Sequence, residues 1–502
     1  MKKLTRRDFI KRSLAAAAAG AGITAAIPTK VWSQVVGSND TIRVAIIGLG
    51  GDRIREDKNG QPLKVIGSKG HFMIPEFRNT PGVRVVALCD VDKYHLERDR
   101  KQFDDDNEKI DTYTDVRKLL ERKDIDAVYI ATCNHWHALI TVWACQAGKD
   151  VYVEKPVSYN IWEGRKMVEA ARKYNRIVQS GTHRRSDDAI RKSIEYVQSG
   201  NLGKIKLARA ICYRHRPSIG KVIAPQPIPA TVDYDLWCGP APKEPLMRKN
   251  LHYDWHWVWN TGNGEIGDLG SHHLDVARWA IGQKQFPKGV ISIGERFGFL
   301  DDGQTPNTQI AFFDYEPAPI LWEVRGLCTK KSSTVMDNFL GVRQNTVIHC
   351  EGGYVIAGAW AYDRNGKKIK QFTSENSESH TANFLKAVRS RKPGDLTAEI
   401  LEGHLSAALS HMGNISHRLG QKAAPEQIKE SIKSQSDTSD AFGRMRKHLA
   451  ANKINITKNM AALGPWLTMD TETEKFTGPV SDKANELLTR QYRPPFVLPE
   501  KV

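Results

Sequence analysis

The chain has 502 residues, of which 40% are hydrophobic and 26% are charged, so it is long enough for two soluble globular domains with extensions. No run of 18 or more uncharged apolar residues follows the N-terminal segment, so no integral membrane segment is expected in the mature protein. The formal net charge of +17 suits an anionic cofactor or an acidic glycan. Nucleic-acid binding is not expected, because no basic motif is interleaved with aromatic residues.

The seven cysteines are scattered and never occur in C-x-x-C spacing. This distribution argues against a structural zinc site and against a dense disulfide framework. It leaves room for a single disulfide.

The N-terminal segment carries a twin-arginine export signal. The pair Arg6-Arg7 precedes Phe9, and an Ala/Gly-rich, weakly hydrophobic run follows from Ser13 to Ile27. This pattern is typical of proteins that are exported in the folded state. We assign residues 1–34 to the signal and expect a periplasmic protein.

Residues 40–157 have the pattern of a dinucleotide-binding Rossmann domain. A strand that begins at Thr41 leads into the glycine turn Gly48-x-Gly50-Gly51, and the next strand ends in Asp90. Glycines let the backbone approach a pyrophosphate, and an acid at the second strand end holds a ribose 2′-hydroxyl. The pattern therefore predicts NAD as cofactor, and prefers NAD to NADP.

The glycine turn departs from the usual G-x-G-x-x-G spacing. Position 53 is an arginine, and a polar segment at 52–68 precedes Lys69-Gly70. Gly48 and Asp90 are 42 residues apart, whereas the acid ordinarily follows about 20 residues after the fingerprint. We interpret 52–68 as an insertion and Gly70 as the candidate for the third glycine.

Two short apolar runs, Ala127–Ala131 and Val151–Val153, read as buried parallel strands on either side of a helix. Polar residues follow both strands, and ligands bind at the carboxyl ends of strands in such sheets. We predict that the loop after the first strand lines the nicotinamide side of the cofactor and that Glu154-Lys155-Pro156 marks where cofactor meets substrate. The candidates in the first loop are Thr132, Asn134 and His137.

Residues 158–420 change from helices to a β-rich pattern after Lys204, which predicts a half-exposed antiparallel sheet. Residues 421–502 read as an extension that wraps the body. Arg184, after a strand end, is a candidate cofactor contact or a surface arginine. Residues 237–264 form a Trp-rich loop. In this loop Trp255 and His256 suit the apolar face of a sugar ring, although packing at the domain interface explains tryptophans equally well.

A predicted helix over residues 265–281 places Asp268 and His272 four residues apart on one face. A carboxylate beside an imidazole can orient it and raise its basicity, as a general base requires; a salt bridge on the helix face is the alternative. His272 and His273 project about 100° apart on a helix, so a shared metal is not expected and no metal is predicted.

In combination these motifs resemble the Gfo/Idh/MocA oxidoreductases over about residues 40–420. They are Gly48-x-Gly50, Asp90, Thr132-x-Asn134-x-x-His137, Glu154-Lys155-Pro156 and Asp268-x-Gly270-x-His272-x-x-Asp275. The resemblance implies an α/β fold with an N-terminal Rossmann parallel sheet and a C-terminal α/β domain with an open, mainly antiparallel sheet, often used for oligomerisation. It also implies a nicotinamide cofactor and a sugar, cyclitol or glycoside substrate, and we expect a homo-oligomer.

The resemblance also assigns roles. Lys155, often before a cis proline, would hydrogen-bond the reacting hydroxyl, His272 would accept its proton, and Asp268 would bind substrate. A buried site near a cationic nicotinamide would lower the pKa of Lys155. The expected cofactor contacts are Gly48, Gly50, Gly51, Asp90, Thr132, Asn134, His137, Glu154, Lys155 and Arg184.

The leading hypothesis is an exported NAD-dependent oxidoreductase that acts on a ring hydroxyl. The alternative is a glycosidase that uses tightly bound NAD in an oxidation–elimination–hydration–reduction cycle. A sugar-binding protein with a dead site is disfavoured, because Lys155, Asp268 and His272 are all present.

Overall fold

The computed structural model describes residues 41–51, 53–56, 62–106, 109–375, 378–458 and 460–502. The predicted twin-arginine signal at 1–34 lies outside these residues. Within them, no helix combines the length and the apolar character needed to cross a bilayer.

The N-terminal part alternates strands and helices. Its strands are β1 (Ile42–Ile47), β2 (Arg53–Glu56), β3 (Pro62–Val65), β4 (Val83–Cys89), β5 (Asp111–Tyr113), β6 (Ala127–Ile130), β7 (Asp150–Val153) and β8 (Val178–Ser180). Its helices are α1 (Lys69–Arg78), α2 (Lys93–Arg100), α3 (Val116–Leu120), α4 (Asn134–Gln146), α5 (Ile161–Lys173) and α6 (Asp188–Gln198).

Six of these strands form a parallel sheet in the order β5-β4-β1-β6-β7-β8. The four residues of β6 and of β7 are all buried, as expected for strands that helices cover on both faces. The predicted domain boundary after 157 falls inside this unit, because β8 extends the sheet past it. β2 and β3 form a separate antiparallel hairpin, which is the insertion predicted after the glycine turn.

The remainder of the chain builds a second, larger sheet. Its strands are β9 (Ile205–Tyr213), β10 (Gly289–Glu295), β11 (Thr308–Asp314), β12 (Ile320–Arg325), β13 (Gln344–Cys350), β14 (Gly353–Ile356), β15 (Trp360–Asp363), β16 (Lys368–Gln371), β17 (Gln421–Ala423), β18 (Ala461–Leu463), β19 (Leu467–Asp470) and β20 (Lys475–Thr477). Its helices are α7 (Tyr234–Cys238), α8 (Gly264–Asp268), α9 (Gly270–Ala280), α10 (His380–Ser390), α11 (Ile400–Arg418), α12 (Pro425–Ser431), α13 (Ser436–Ala451) and α14 (Ser481–Glu486).

This twelve-stranded sheet is mainly antiparallel, and β9 pairs in parallel with β12 at its centre. The chain thus has the predicted α/β fold with two sheets. The predicted helix over 265–281 is interrupted at Leu269 and consists of α8 and α9.

Helix α11 joins the two cores. Ile400 and Ala407 pack into the core of the first sheet, whereas Leu405 and Leu409 pack into that of the second. Sixteen of its nineteen residues are buried. Helix α11 is therefore a buried element that the two cores share.

Residues 421–502 are an integral part of the body. β17, β18 and β19 extend the second sheet, and α13 packs Phe442 and Leu449 against its outer face. Further on, Phe496 enters the core of the first sheet. The sheet face under α13 is thus covered by the chain itself, and the homo-oligomer stays a prediction.

Candidate active site

A cavity of about 340 Å³ lies where the carboxyl ends of β1, β4, β6 and β7 face the loop that precedes α8. Both domains contribute to its lining, which includes Gly48, Asp90, Thr132, Lys155, Asp268 and His272. The reaction centre predicted at the ends of β6 and β7 and the residues predicted in the second domain thus meet in one place.

The glycine turn is held so tightly that side chains do not fit. Gly48 has φ +85°, and a Cβ on it would lie 2.6 Å from the backbone nitrogen of Thr132. A Cβ on Gly70 would lie 1.9 Å from the carbonyl oxygen of Gly48, so Gly70 has the predicted role of the third glycine. Gly50 (φ +73°) packs on Ser68, just before α1. This backbone cradle at a helix N-terminus fits a pyrophosphate.

Asp90 stands at the end of β4 and lines the cavity. Its carboxylate accepts hydrogen bonds from the backbone nitrogens of Leu49 (2.7 Å) and Asp92 (2.9 Å). Burial disfavours its charge, but His95 and these N–H groups outweigh that effect, and the pKa of Asp90 is lowered. A fixed carboxylate here fits the ribose hydroxyls of NAD.

The Lys155–Pro156 peptide bond is cis, as the resemblance implied. Lys155 Nζ donates to Asp268 Oδ1 at 2.6 Å and to the Asp268 carbonyl at 3.0 Å. Burial disfavours the ammonium, but the Asp268 carboxylate outweighs burial and raises the pKa of Lys155. The expectation of a lowered pKa near a cationic nicotinamide did not include this ion pair, which acts in the opposite direction.

Asp268 is held by two cations rather than by a histidine. Its second oxygen accepts from Arg216 Nη2 at 2.7 Å, and Arg216 also pairs with Glu265 at 2.6 Å. Although burial opposes ionisation, Lys155 and Arg216 keep the pKa of Asp268 well below its usual range. Arg216 and Glu265 had no recognisable sequence signal, since neither belongs to a motif.

His272 does not pair with Asp268, contrary to the prediction from their spacing, because Lys155 and Arg216 occupy the two carboxylate oxygens of Asp268. Its ring instead makes an edge contact with the exposed His183, with centroids 4.6 Å apart. Burial, reinforced by the charge of Lys155, lowers the pKa of His272 well below its usual value. His272 is therefore a neutral imidazole at the cavity wall.

Three predicted cofactor residues have structural contacts instead. Asn134 is buried and donates to Asn263, and Arg184 donates to Asn345 at 3.0 Å; neither lines the cavity. His137 lies at the cavity with its ring nitrogens 2.8 Å from the Pro156 carbonyl and 3.0 Å from the Thr132 carbonyl. His137 thus links the loop that follows β6 to the loop that follows β7.

Glu154 also lines the cavity. It accepts a hydrogen bond from Tyr129 at 2.8 Å, and Lys69 lies 3.8 Å away. Burial acts against its charge, but Lys69 and Tyr129 outweigh burial, so the pKa of Glu154 is lowered. Lys69 opens α1 next to the glycine cradle, and its position directly before Gly70 is a signal that the sequence offered.

The Trp-rich loop forms the opposite wall. Trp255 and His256 stack with ring centroids 3.6 Å apart, and both line the cavity. Burial lowers the pKa of His256 to about 4. In the same loop His252 lies over the glycine turn, since a Cβ on Gly51 would meet its side chain at 2.5 Å. Gly51 thus makes room for His252, in addition to lining the cavity.

Two stretches of the chain match known domains. Residues 42–182 match the NAD-binding Rossmann fold of the Gfo/Idh/MocA oxidoreductase family, and residues 188–293 match the C-terminal alpha/beta domain of that family. The fold of the WlbA dehydrogenase from Bordetella pertussis, solved with NADH and UDP-GlcNAcA, is similar. The TM-score is 0.51 and the sequence identity is 17%. The match covers 74% of this chain and 96% of that one.

Two relatives are more similar in sequence. The chain is 25% identical over 203 residues to myo-inositol 2-dehydrogenase of Thermotoga maritima, covering 40% of this chain and 50% of that protein. It is 30% identical over 177 residues to a glycosyl hydrolase family 109 protein of Shewanella baltica, covering 34% and 38%. The chain thus spans half or less of the length of these relatives.

The matched domains, the cradle and the strand-end carboxylate define an NAD-binding two-domain oxidoreductase fold. Over residues 42–293 the chain belongs to the Gfo/Idh/MocA oxidoreductase family, as its motifs predicted.

Proposed function

We propose that the protein is an NAD-dependent oxidoreductase that acts on a ring hydroxyl of a sugar, cyclitol or glycoside. The observation that carries this proposal is the placement of Lys155, Asp268 and His272 in the cavity that also contains the glycine cradle and Asp90. The names of the relatives, a cyclitol dehydrogenase and a glycoside hydrolase, support this substrate class.

The chain's residues divide the chemistry as follows. NAD, held by the glycine cradle and Asp90, supplies the hydride acceptor when it is bound. The Lys155 ammonium donates a hydrogen bond to the reacting oxygen and stabilises the negative charge that develops there. Asp268 fixes this ammonium and accepts from a neighbouring hydroxyl of the substrate.

The hydroxyl proton needs an acceptor, and Lys155 is already protonated because Asp268 raises its pKa. The neutral His272 has a free lone pair and stands at the same cavity, so it takes this role. His183, in contact with His272 and exposed, then offers a route for the proton to solvent. Replacement of His183 by Asn is expected to slow turnover at low buffer concentration, and added imidazole is expected to restore it.

The NAD-using glycosidase is the second candidate, and one observation favours it. His252 of the second domain lies over Gly51 of the glycine turn, so the second domain covers part of the cofactor cradle. A covered cofactor is retained between turnovers, which a cycle without net redox change requires.

The deciding experiment is an assay of the purified full chain with a panel of glycosides, cyclitols and free sugars. Formation of NADH or of a keto-sugar supports the oxidoreductase. Release of the aglycone without added NAD, and without net NADH, supports the glycosidase. If no compound of the panel gives any of these products, both proposed functions are contradicted.

We also propose export to the periplasm by the twin-arginine route, supported by Arg6-Arg7 and the run that follows. Fractionation of cells that produce the full chain tests this. Replacement of both arginines by lysine is expected to keep the protein in the cytoplasm, whereas unchanged export would contradict the proposal.

A further inference from the structure

Three metal-ligating side chains converge beside the cofactor cleft. Asp92 and His95 come from the start of α2, His252 comes from the Trp-rich loop, and their ligand atoms lie within 4.8 Å of one another. We propose that these three side chains bind a divalent transition-metal ion, best matched by Zn²⁺, that ties the two domains together. This proposal is independent of the reaction that the protein catalyses.

The distances between the ligand atoms are those that a shared metal ion requires. His252 Nε2 and His95 Nε2 lie 3.1 and 3.4 Å from the same oxygen of Asp92, Oδ2. Ligand atoms around a tetrahedral zinc ion with bonds of about 2.0–2.1 Å lie roughly 3.3–3.4 Å apart. The His252–Asp92 pair is a hydrogen bond in the described structure, whereas the 3.4 Å between His95 Nε2 and Asp92 Oδ2 exceeds the usual hydrogen-bond range of about 2.7–3.2 Å.

The surroundings of the three ligands also suit a cation. Asp92 Oδ1 accepts from the backbone nitrogen of Tyr94 at 2.9 Å, so Oδ2 is the oxygen that faces both histidines. His95 Nδ1 is buried without a hydrogen-bond partner among the described residues and lies 3.5 Å from Asp90 Oδ1, so Asp90 is the candidate for the outer carboxylate that metal-bound histidines ordinarily have. Asp92 and His95 are only 3% and 2% exposed, so they are already ordered by packing.

The charge balance favours the same conclusion. Two carboxylates, Asp90 and Asp92, lie beside the two imidazoles in a mostly buried setting, and a divalent ion would balance their negative charge. The donor set of two imidazoles and one carboxylate leaves a fourth position open for water, as in three-ligand zinc sites. Because His252 packs on Gly51, the ion would hold the second domain's loop against the glycine turn.

The test uses the purified full chain. The protein is treated with a chelator, titrated with ZnCl₂ by calorimetry, and analysed for metal content by mass spectrometry. We expect one zinc ion per chain, and the same result for His215→Ala, which removes an exposed histidine outside the cluster.

Two variants test the ligands. Asp92→Asn keeps a side chain that can cap α2, and His252→Ala changes a loop position, so both are expected to fold. Each should weaken zinc binding by at least about tenfold and remove the zinc-dependent rise in thermal unfolding temperature. Failure of the wild type to bind zinc, or unchanged binding in both variants, would overturn the proposal and leave an ion-paired cluster only.

Discussion

At the scale of single residues, Lys155 shows how one ion pair sets the chemistry. Asp268 raises the pKa of Lys155, so in the proposed reaction Lys155 acts as a hydrogen-bond donor and not as a base. Lys155→Met removes this donor but leaves the cradle intact. We expect turnover to fall by about 100- to 1,000-fold, as for the loss of one oxyanion donor, while the NAD content of the purified protein stays the same.

The control for this variant is Lys118→Met, which changes an exposed lysine paired only with Glu121 across the surface. It should leave turnover unchanged. If Lys155→Met retained full turnover, the role that we assign to this ammonium would be wrong.

Asp90 is the residue that we expect to set the choice of cofactor. Its fixed carboxylate would accept from ribose hydroxyls and repel a 2′-phosphate. Asp90→Ala is expected to weaken NAD binding by at least about tenfold, since a charged hydrogen bond is worth about 1.5–3 kcal/mol, and to narrow the preference for NAD over NADP. Fluorescence titration with both dinucleotides measures this. An unchanged NAD affinity would contradict the ribose assignment.

At the scale of elements, the start of α1 is the most demanding contact. A Cβ on Gly70 would lie 1.9 Å from the Gly48 carbonyl oxygen. Because the atoms that it would meet belong to the backbone and not to a flexible side chain, they cannot move aside easily. Gly70→Ala should therefore displace α1 from the glycine turn and abolish NAD binding. Gly443→Ala in α13, where a Cβ meets nothing within 4 Å, is the matched control. Equal NAD binding by both variants would refute the role of Gly70.

The same elements show what the sequence could and could not predict. The strands of the first sheet were predictable because buried parallel strands give continuous apolar runs, as in Val151–Val153. The spacing of Asp268 and His272 misled, because helical spacing says nothing about Lys155 and Arg216, which occupy both carboxylate oxygens of Asp268 in the folded chain. Arg216 could not be found, since its partner Glu265 lies 49 residues away and only the folded chain brings them together.

At the scale of the whole molecule, the C-terminal tail (residues 421–502) contacts both sheets. It supplies strands to the second sheet and apolar side chains to the core of the first. A titratable side chain lies where the C-terminal tail contacts α5. Glu163 of α5 is buried and accepts hydrogen bonds from Tyr492 Oη (3.0 Å) and from the backbone nitrogen of Tyr159 (2.8 Å).

This junction makes stability depend on pH. Burial raises the pKa of Glu163 from 4.5 to about 7, because the neutral carboxyl is favoured in the folded state. The stabilisation is fully present below pH 4.5, and it is lost as the pH rises through the folded pKa near 7. A shift of this size corresponds to about 3 kcal/mol.

Glu163→Gln keeps a neutral side chain of the same shape at every pH and should therefore remove this dependence. We expect the thermal unfolding temperature of the wild type to fall more between pH 5 and pH 8 than that of Glu163→Gln, because only the wild type must bury a charge at the higher pH. Glu430→Gln, at an exposed position, should follow the wild type. Differential scanning calorimetry at several pH values measures the difference, and parallel curves for wild type and Glu163→Gln would show that this carboxyl ionises in the folded protein as easily as in the unfolded chain.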